Sequence, residues 1–133
     1  MKVLLDTNAY TALFRGHSGV AARVRRAEQV LVSVVVAGEL LFGFRNGTRF
    51  EANREELDDF LASPYVTLLP VTWVTADRFG RIAAALRQKG KPLPTNDIWI
   101  AAHAMESGAD LLSFDGHFEH VDGIAWVRPD EGL

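Results

Sequence analysis

The feature that most constrains this chain is the alternation of short apolar runs with amphipathic stretches. The runs are rich in β-branched and aliphatic residues and are too short for helices, so we predict that they are strands. They lie at residues 3–5, 30–32, 66–69, 111–112 and 124–127. Strands that alternate with helices predict an α/β fold, with a central parallel sheet of about five strands flanked by helices on both faces.

Residues that favour helix ends locate several of the helices. A charged helix is predicted at 53–62, where Ser-Pro follows its last residue. Gly90 is placed to end the helix that precedes it. Thr95 is predicted to cap a helix at 96–107, and Gly108 is placed to end it.

Length and composition narrow the class of protein. The 133 residues suit one domain spanning 1–133, and 48% hydrophobic with 23% charged residues are typical of a globular chain. The absence of cysteine excludes disulfides, thiolate metal sites and cysteine nucleophiles. The most apolar run, 30–44, is shorter than the roughly 20 residues of a membrane span, so we expect a soluble, cytoplasmic protein that binds no membrane.

Four carboxylates occupy positions at which the predicted fold brings chain segments together. Asp6 and Asp115 each follow a predicted strand, Asp97 opens a predicted helix, and Glu39 interrupts an otherwise apolar helix. In a parallel sheet, the carboxyl ends of the strands and the N-termini of the following helices share one edge. Carboxylates that converge there repel one another unless a cation lies between them, and an all-oxygen ligand set suits Mg²⁺ or Mn²⁺.

The same positions also have purely structural interpretations. The three aspartates suit turns, helix caps or the first turn of a helix. For Glu39 the structural alternative is a salt bridge with Arg15 or Arg45. A purely structural explanation would need a separate coincidence at each of the four positions. The joint placement of the four carboxylates therefore favours a functional site.

The four carboxylates lie in motifs that resemble those of the PIN domain. The motifs are 4–8 (LLDTN), Glu39 in its apolar helix, 96–102 (NDIWIAA) and 113–118 (SFDGHF). Their order and spacing, together with the length of the chain, resemble more narrowly the VapC-type toxins of prokaryotic type II toxin–antitoxin modules. The resemblance implies a single PIN domain over 1–133 that acts as a metal-dependent endoribonuclease and is neutralised by a cognate antitoxin.

The resemblance also implies a role for each carboxylate. Asp6, Glu39, Asp97 and Asp115 form the catalytic centre. Of these, Asp6, Asp97 and Asp115 hold Mg²⁺, for which Mn²⁺ can substitute, and Glu39 orients or deprotonates the attacking water. The implied partners are an RNA substrate, a cognate antitoxin, and a second copy of the chain in a homodimer or in a toxin–antitoxin hetero-oligomer.

Several neighbouring side chains carry further expectations. Thr7 and Asn96 are predicted to donate hydrogen bonds to the carboxylates. His103 is predicted to be structural, because it lies in an Ala-rich helix. The charged helix at 51–61, with Leu57, Phe60 and Leu61 exposed or half-exposed, is predicted to form either part of an antitoxin groove or part of the core.

Basic side chains that can neutralise RNA phosphates are numerous. The formal net charge of −3 includes the four acids of the candidate site, so it does not exclude an RNA partner. Nine basic residues are candidates for such contacts: Arg15, Arg23, Arg25, Arg26, Arg45, Arg49, Arg87, Lys89 and Lys91.

Two other function classes remain open at this point. A haloacid-dehalogenase-like, Mg²⁺-dependent phosphatase also begins with a strand followed by Asp, but it needs a second Asp where this chain has Asn8. A PIN-like module of weak catalytic power would bind RNA or protein without cleaving it. A metal-dependent cleavage assay separates that module from a nuclease.

Overall fold

Five parallel strands form the central sheet. The structure is a computed structural model that describes residues 1–130. In spatial order the strands run β3-β2-β1-β4-β5. In chain order they are β1 (Lys2–Leu5), β2 (Gln29–Ser33), β3 (Val66–Leu69), β4 (Asp110–Leu112) and β5 (Ala125–Val127).

Six helices and one short 3-10 helix connect the strands. A pair of helices forms each of the first three connections, and the 3-10 helix lies between β4 and β5. No helix within residues 1–130 is long and apolar enough to cross a bilayer. The helices are α1 (Thr7–Phe14), α2 (Ser18–Arg26), α3 (Val34–Arg45), α4 (Phe50–Ala62), α5 (Trp73–Lys89), α6 (Thr95–Ser107) and the 3-10 helix Gly116–His120.

Apolar residues are buried on both faces of the sheet. On β1, Val3 and Leu5 pack into one cluster together with Val20 of α2. Leu4 points to the opposite face and joins a larger cluster that includes Ile100 of α6. Because β1 is covered on both sides, it is apolar without interruption, which is why its sequence does not alternate. The predicted parallel sheet with helices on both faces is confirmed.

The predicted helix ends are correct at two glycines and wrong at one threonine. Gly90 and Gly108 both adopt left-handed backbone conformations, with φ of 67° and 69°, and so end α5 and α6. Thr95, however, is not the cap of α6: it is already helical, and Pro94 occupies the cap position without a side-chain hydrogen bond. Proline provides the extended backbone that a cap position needs, so the helix begins one residue earlier than predicted.

The expectation that Leu57 is exposed or half-exposed is also wrong. Leu57 is 2% exposed and belongs to the main core cluster. Phe60 and Leu61 are half-buried against the same cluster. The three residues lie at positions i, i+3 and i+4 of α4 and therefore form the face that the helix buries, despite the charges on either side.

The direction of the connections reverses at β1. The chain moves from β1 to β2 and β3 on one side, and then returns to place β4 on the other side of β1. Because the connections that leave β1 and β4 diverge, a crevice remains beyond the carboxyl ends of these two strands. This crevice is where the fold places a binding site.

A buried polar contact ties two helices to the sheet behind this crevice. His103 of α6 is 1% exposed, and its Nε2–H donates to the Pro70 carbonyl oxygen at 3.0 Å. Its Nδ1 therefore accepts from the Ser33 hydroxyl, at 2.9 Å, in the neutral ring. Ser33 also accepts from the Val35 backbone N–H and caps α3. The prediction that His103 is structural is confirmed.

We expect Ser33→Ala to lower the free energy of unfolding by about 1–3 kcal/mol, since it leaves the His103 Nδ1 buried without a partner and removes the cap of α3. Urea denaturation measures the change. Ser63→Ala is the matched control: Ser63 makes a similar bond to the Tyr65 N–H at an exposed turn, and its loss should cost less than about 0.5 kcal/mol. Equal losses for the two variants would contradict the structural role given to the His103 contact.

Candidate active site

Asp6 lies at the end of β1 and is 5% exposed. Its Oδ1 accepts from the Ala9 backbone N–H at 2.8 Å, so the side chain also caps α1. Burial raises the pKa of Asp6, and the charges of Asp115 and Glu39 raise it further, whereas hydrogen bonds from Ser113 and Ala9 lower it. The helix-cap interpretation of Asp6 is therefore correct.

Asp115 follows β4 and caps the 3-10 helix. Its Oδ1 accepts from the His117 backbone N–H at 2.9 Å and lies 3.1 Å from Nδ1 of the same histidine. The Asp115 backbone N–H donates to the Ser113 hydroxyl at 3.0 Å. Because Ser113 is also hydrogen-bonded to Asp6, it joins the two carboxylates that end β4 and β1.

Asp97 lies in the first turn of α6 and is half-buried. Burial raises its pKa to about 6, and the charges of Asp115, Glu39 and Asp6 add to this shift, while His117 opposes it. Each of the other three predicted site residues thus acts electrostatically on Asp97. The structure brings all four carboxylates into one crevice at the carboxyl ends of β1 and β4.

Both carboxylate oxygens of Glu39 are held by hydrogen bonds from other helices. The Thr7 hydroxyl of α1 donates to Oε1 at 2.6 Å, and the Asn96 amide of α6 donates to Oε2 at 3.3 Å. The prediction for Thr7 and Asn96 is confirmed. The alternative, a salt bridge of Glu39 with Arg15 or Arg45, is wrong. Within residues 1–130 Glu39 forms no ion pair, and the Arg45 guanidinium lies over the Phe50 ring.

The four carboxylates present oxygen donor atoms, which suit a hard divalent cation. Within the described part of the chain, no three acidic or histidine side chains already converge at metal-binding distances. The side chains that face the crevice nevertheless offer carboxylate oxygens, the ligands that Mg²⁺ prefers. Their mutual effect on pKa is the repulsion that a bound cation would relieve.

Two residues of the motif at 113–118 contribute to this site in ways that the sequence did not predict. Ser113 is the link between Asp6 and Asp115, and its only signal in the sequence is a hydroxyl residue directly after a buried strand. His117 contacts Asp115 and acts on Asp97, but a histidine in a loop carries no pattern that predicts a particular partner.

Comparisons with known proteins agree with this geometry. The family model described as "PIN domain" matches residues 3–124. The chain belongs to the PIN-domain family. Ribonuclease VapC2 of Haemophilus influenzae is 34% identical over 133 residues, covering 96% of this chain and 99% of that protein. The chain is thus a PIN domain of VapC type.

Solved structures of PIN-domain relatives share the whole fold. The VapBC2 structure from Rickettsia felis, bound to a DNA fragment from its promoter, superposes with a TM-score of 0.84 at 23% identity, covering 98% of this chain and 100% of that one. A DNA-bound VapBC from Salmonella typhimurium gives a TM-score of 0.84 at 25% identity, with 96% and 97% coverage. The fold that carries the four carboxylates is therefore that of the PIN domain throughout its length.

We expect Asp97→Asn to raise the free energy of unfolding at pH 7 by about 1–2 kcal/mol in the presence of a chelator, after allowance for solvent screening. The folded-state pKa of about 6 lies above the ordinary value of 3.8, so the folded state binds the proton more tightly. The wild type therefore gains stability as the pH falls from above 6 to below 4, and the difference between the two proteins disappears at low pH. Urea denaturation across this range measures it.

Asp59→Asn, an exposed acid on α4, is the matched control and should change stability by less than about 0.5 kcal/mol. If Asp97→Asn were less stable than the wild type at pH 7, the electrostatic description of the cluster would be wrong.

Proposed function

We propose that the protein is a metal-dependent endoribonuclease that acts on cytoplasmic RNA as the toxin of a type II toxin–antitoxin module. The observation that carries the proposal is the cluster of four carboxylates, Asp6, Glu39, Asp97 and Asp115, whose charges act on one another in one crevice. Membership of the PIN-domain family and similarity to proteins named ribonuclease VapC support it. The phosphatase alternative has no such support, and position 8 is Asn.

Three of the four carboxylates are suited to hold Mg²⁺, or Mn²⁺ in its place. Asp6, Asp97 and Asp115 come from the ends of β1 and β4 and from the first turn of α6. The caps formed by Asp6 and Asp115 use Oδ1 in each case, so neither cap engages Oδ2. A divalent cation bound there would neutralise charge on the scissile phosphate and lower the pKa of a water molecule.

Glu39 is suited to be the general base. The hydrogen bonds from Thr7 and Asn96 fix both of its oxygens, so the carboxylate has one orientation toward the crevice. In the proposed reaction, a proton of the attacking water passes to Glu39 while the water oxygen forms a bond to phosphorus. The bond from phosphorus to the 3′-oxygen breaks, and that oxygen takes a proton from solvent. The products are a 5′-phosphate and a 3′-hydroxyl.

We expect Asp6→Asn to reduce Mn²⁺-dependent cleavage of structured RNA by about 100-fold or more, because it removes a charge that holds the cation. Asn caps helices as well as Asp does, so the folded state should be preserved, which circular dichroism checks. Gel analysis of end-labelled RNA, with and without EDTA, measures the cleavage. Cleavage that survives both EDTA and Asp6→Asn would contradict the proposal. RNA binding without any cleavage by the wild type would favour the non-cleaving module.

The proposed partners include a cognate antitoxin and a second copy of the chain. Relatives of the same fold were solved as VapBC complexes, which supports an antitoxin partner. For the homodimer, the supporting feature is Trp73 at the start of α5, which is 88% exposed and is followed by Val74, 46% exposed. Beside it, Gly80 leaves open space on the same helix, into which the tryptophan of a second copy can pack.

We expect Trp73→Ser to shift the protein from dimer to monomer, since it removes the largest exposed apolar side chain of this surface. Size-exclusion chromatography with light scattering measures the mass. Tyr65→Ser is the matched control, because Tyr65 is 67% exposed but precedes β3 at the opposite end of that strand. An unchanged dimer in Trp73→Ser would exclude this face as the interface.

A further inference from the structure

A cavity of about 590 Å³ opens beside Glu39, among residues of α1, α3 and α4. Its volume lies in the range of about 300–1,000 Å³ that is typical of small-ligand sites. Thr7 and Glu39 line it, and they also form the 2.6 Å hydrogen bond of the candidate active site. Whatever occupies this cavity therefore lies next to the reacting groups.

One wall of the cavity is aromatic. Phe14 is 40% exposed and lines the cavity, and its ring lies 4.6 Å from that of Tyr10 and 5.4 Å from that of Phe60, between centroids. Its neighbours thus hold the ring while part of it stays accessible. An accessible aromatic ring of fixed position is the surface on which an unpaired base stacks.

Tyr10, in the same wall, carries a buried hydroxyl without a hydrogen-bond partner in residues 1–130. The side chain is 2% exposed. Burial, with a contribution from the charge of Glu56, raises the pKa of Tyr10 to about 12, so the hydroxyl keeps its proton and is a donor. Because this hydroxyl is buried away from the open cavity, Tyr10 contributes to the wall through its ring, which packs against that of Phe14.

Cationic and polar side chains complete the lining. Arg15 and Arg49 border the cavity, both are exposed, and neither forms an ion pair within the described residues. Guanidinium groups bind phosphate oxygens in a bidentate way. Asn53 and Glu56 lie on the same wall and can accept hydrogen bonds from the amino groups of a base.

We propose that this cavity is a nucleotide subsite, which holds an unpaired nucleotide of the RNA next to the scissile phosphate. The base stacks on Phe14, and Arg15 and Arg49 bind the phosphates on either side of it. The inference rests on the proposed ribonuclease function and adds to it a defined place for one nucleotide. An aromatic ring for stacking beside two guanidinium groups for phosphates suits RNA better than an antitoxin peptide. The experiment below also tests whether the cavity binds the antitoxin.

The experiment combines protein variants with changes in the substrate. After the cleavage point of an RNA oligonucleotide has been mapped, an abasic nucleotide replaces each nucleotide flanking it in turn. For the wild type, we expect one abasic position to raise KM about tenfold with little change in kcat. Phe14→Leu should raise KM for the intact RNA by a similar factor, and it should add little when the substrate is already abasic at that position.

Further variants test the other contacts. Arg15→Gln and Arg49→Gln should each reduce the slope of log Kd against log salt by about 0.7. The matched controls are Tyr65→Leu, an exposed aromatic residue outside the cavity, and Lys2→Gln, an exposed lysine at the opposite end of β1 from the crevice. Both should leave KM and the salt slope unchanged.

The outcomes separate this inference from the function on which it rests. If the wild type does not cleave RNA with Mn²⁺, the proposed function fails. If it cleaves intact and abasic RNA with equal KM, and Phe14→Leu behaves as the wild type, only the nucleotide subsite is overturned. If Phe14→Leu weakens inhibition by the antitoxin and leaves KM unchanged, the cavity binds the antitoxin rather than RNA, and the inference is likewise overturned.

Discussion

The close approach of four like charges at the switch point of the sheet is the constraint on which the rest of this structure depends. Buried and half-buried carboxylates that lie near one another repel and lose hydration, and the fold supplies hydrogen bonds to three of these four. Backbone N–H groups hold Asp6 and Asp115, and side chains of α1 and α6 hold Glu39. Helix starts and strand ends therefore serve both the architecture and the acidic cluster.

A fully satisfied polar contact lies behind this repulsive cluster. Ser33 ends β2 and caps α3, the helix that carries Glu39, and it bonds to His103 on α6, the helix that carries Asp97. The contact fixes two acid-bearing helices against the same strand. Raised pKa values at Asp6 and Asp97 show that the cluster itself works against stability, so its position depends on such neutral contacts nearby.

The sequence predicted the features that depend on local residue patterns, such as strands and the positions of the acids. It did not predict contacts between residues that are distant in the chain. The central strands were predictable because both of their faces are buried, and the positions of the four carboxylates followed from strand ends and helix starts. The cap at Thr95 was wrong because Pro94 provides the same backbone geometry. The buried hydroxyl of Tyr10 and the link through Ser113 depend on tertiary contacts, which no periodicity or spacing in one sequence reports.

The two hydrogen bonds of Glu39 determine which helices can be changed without loss of a donor to this carboxylate. They connect α1, α3 and α6, so the Glu39 carboxylate is held by hydrogen bonds among three helices and by none from α4 or α5. A substitution on α4 or α5 therefore removes neither of these hydrogen bonds, and Glu39 keeps both of its donors.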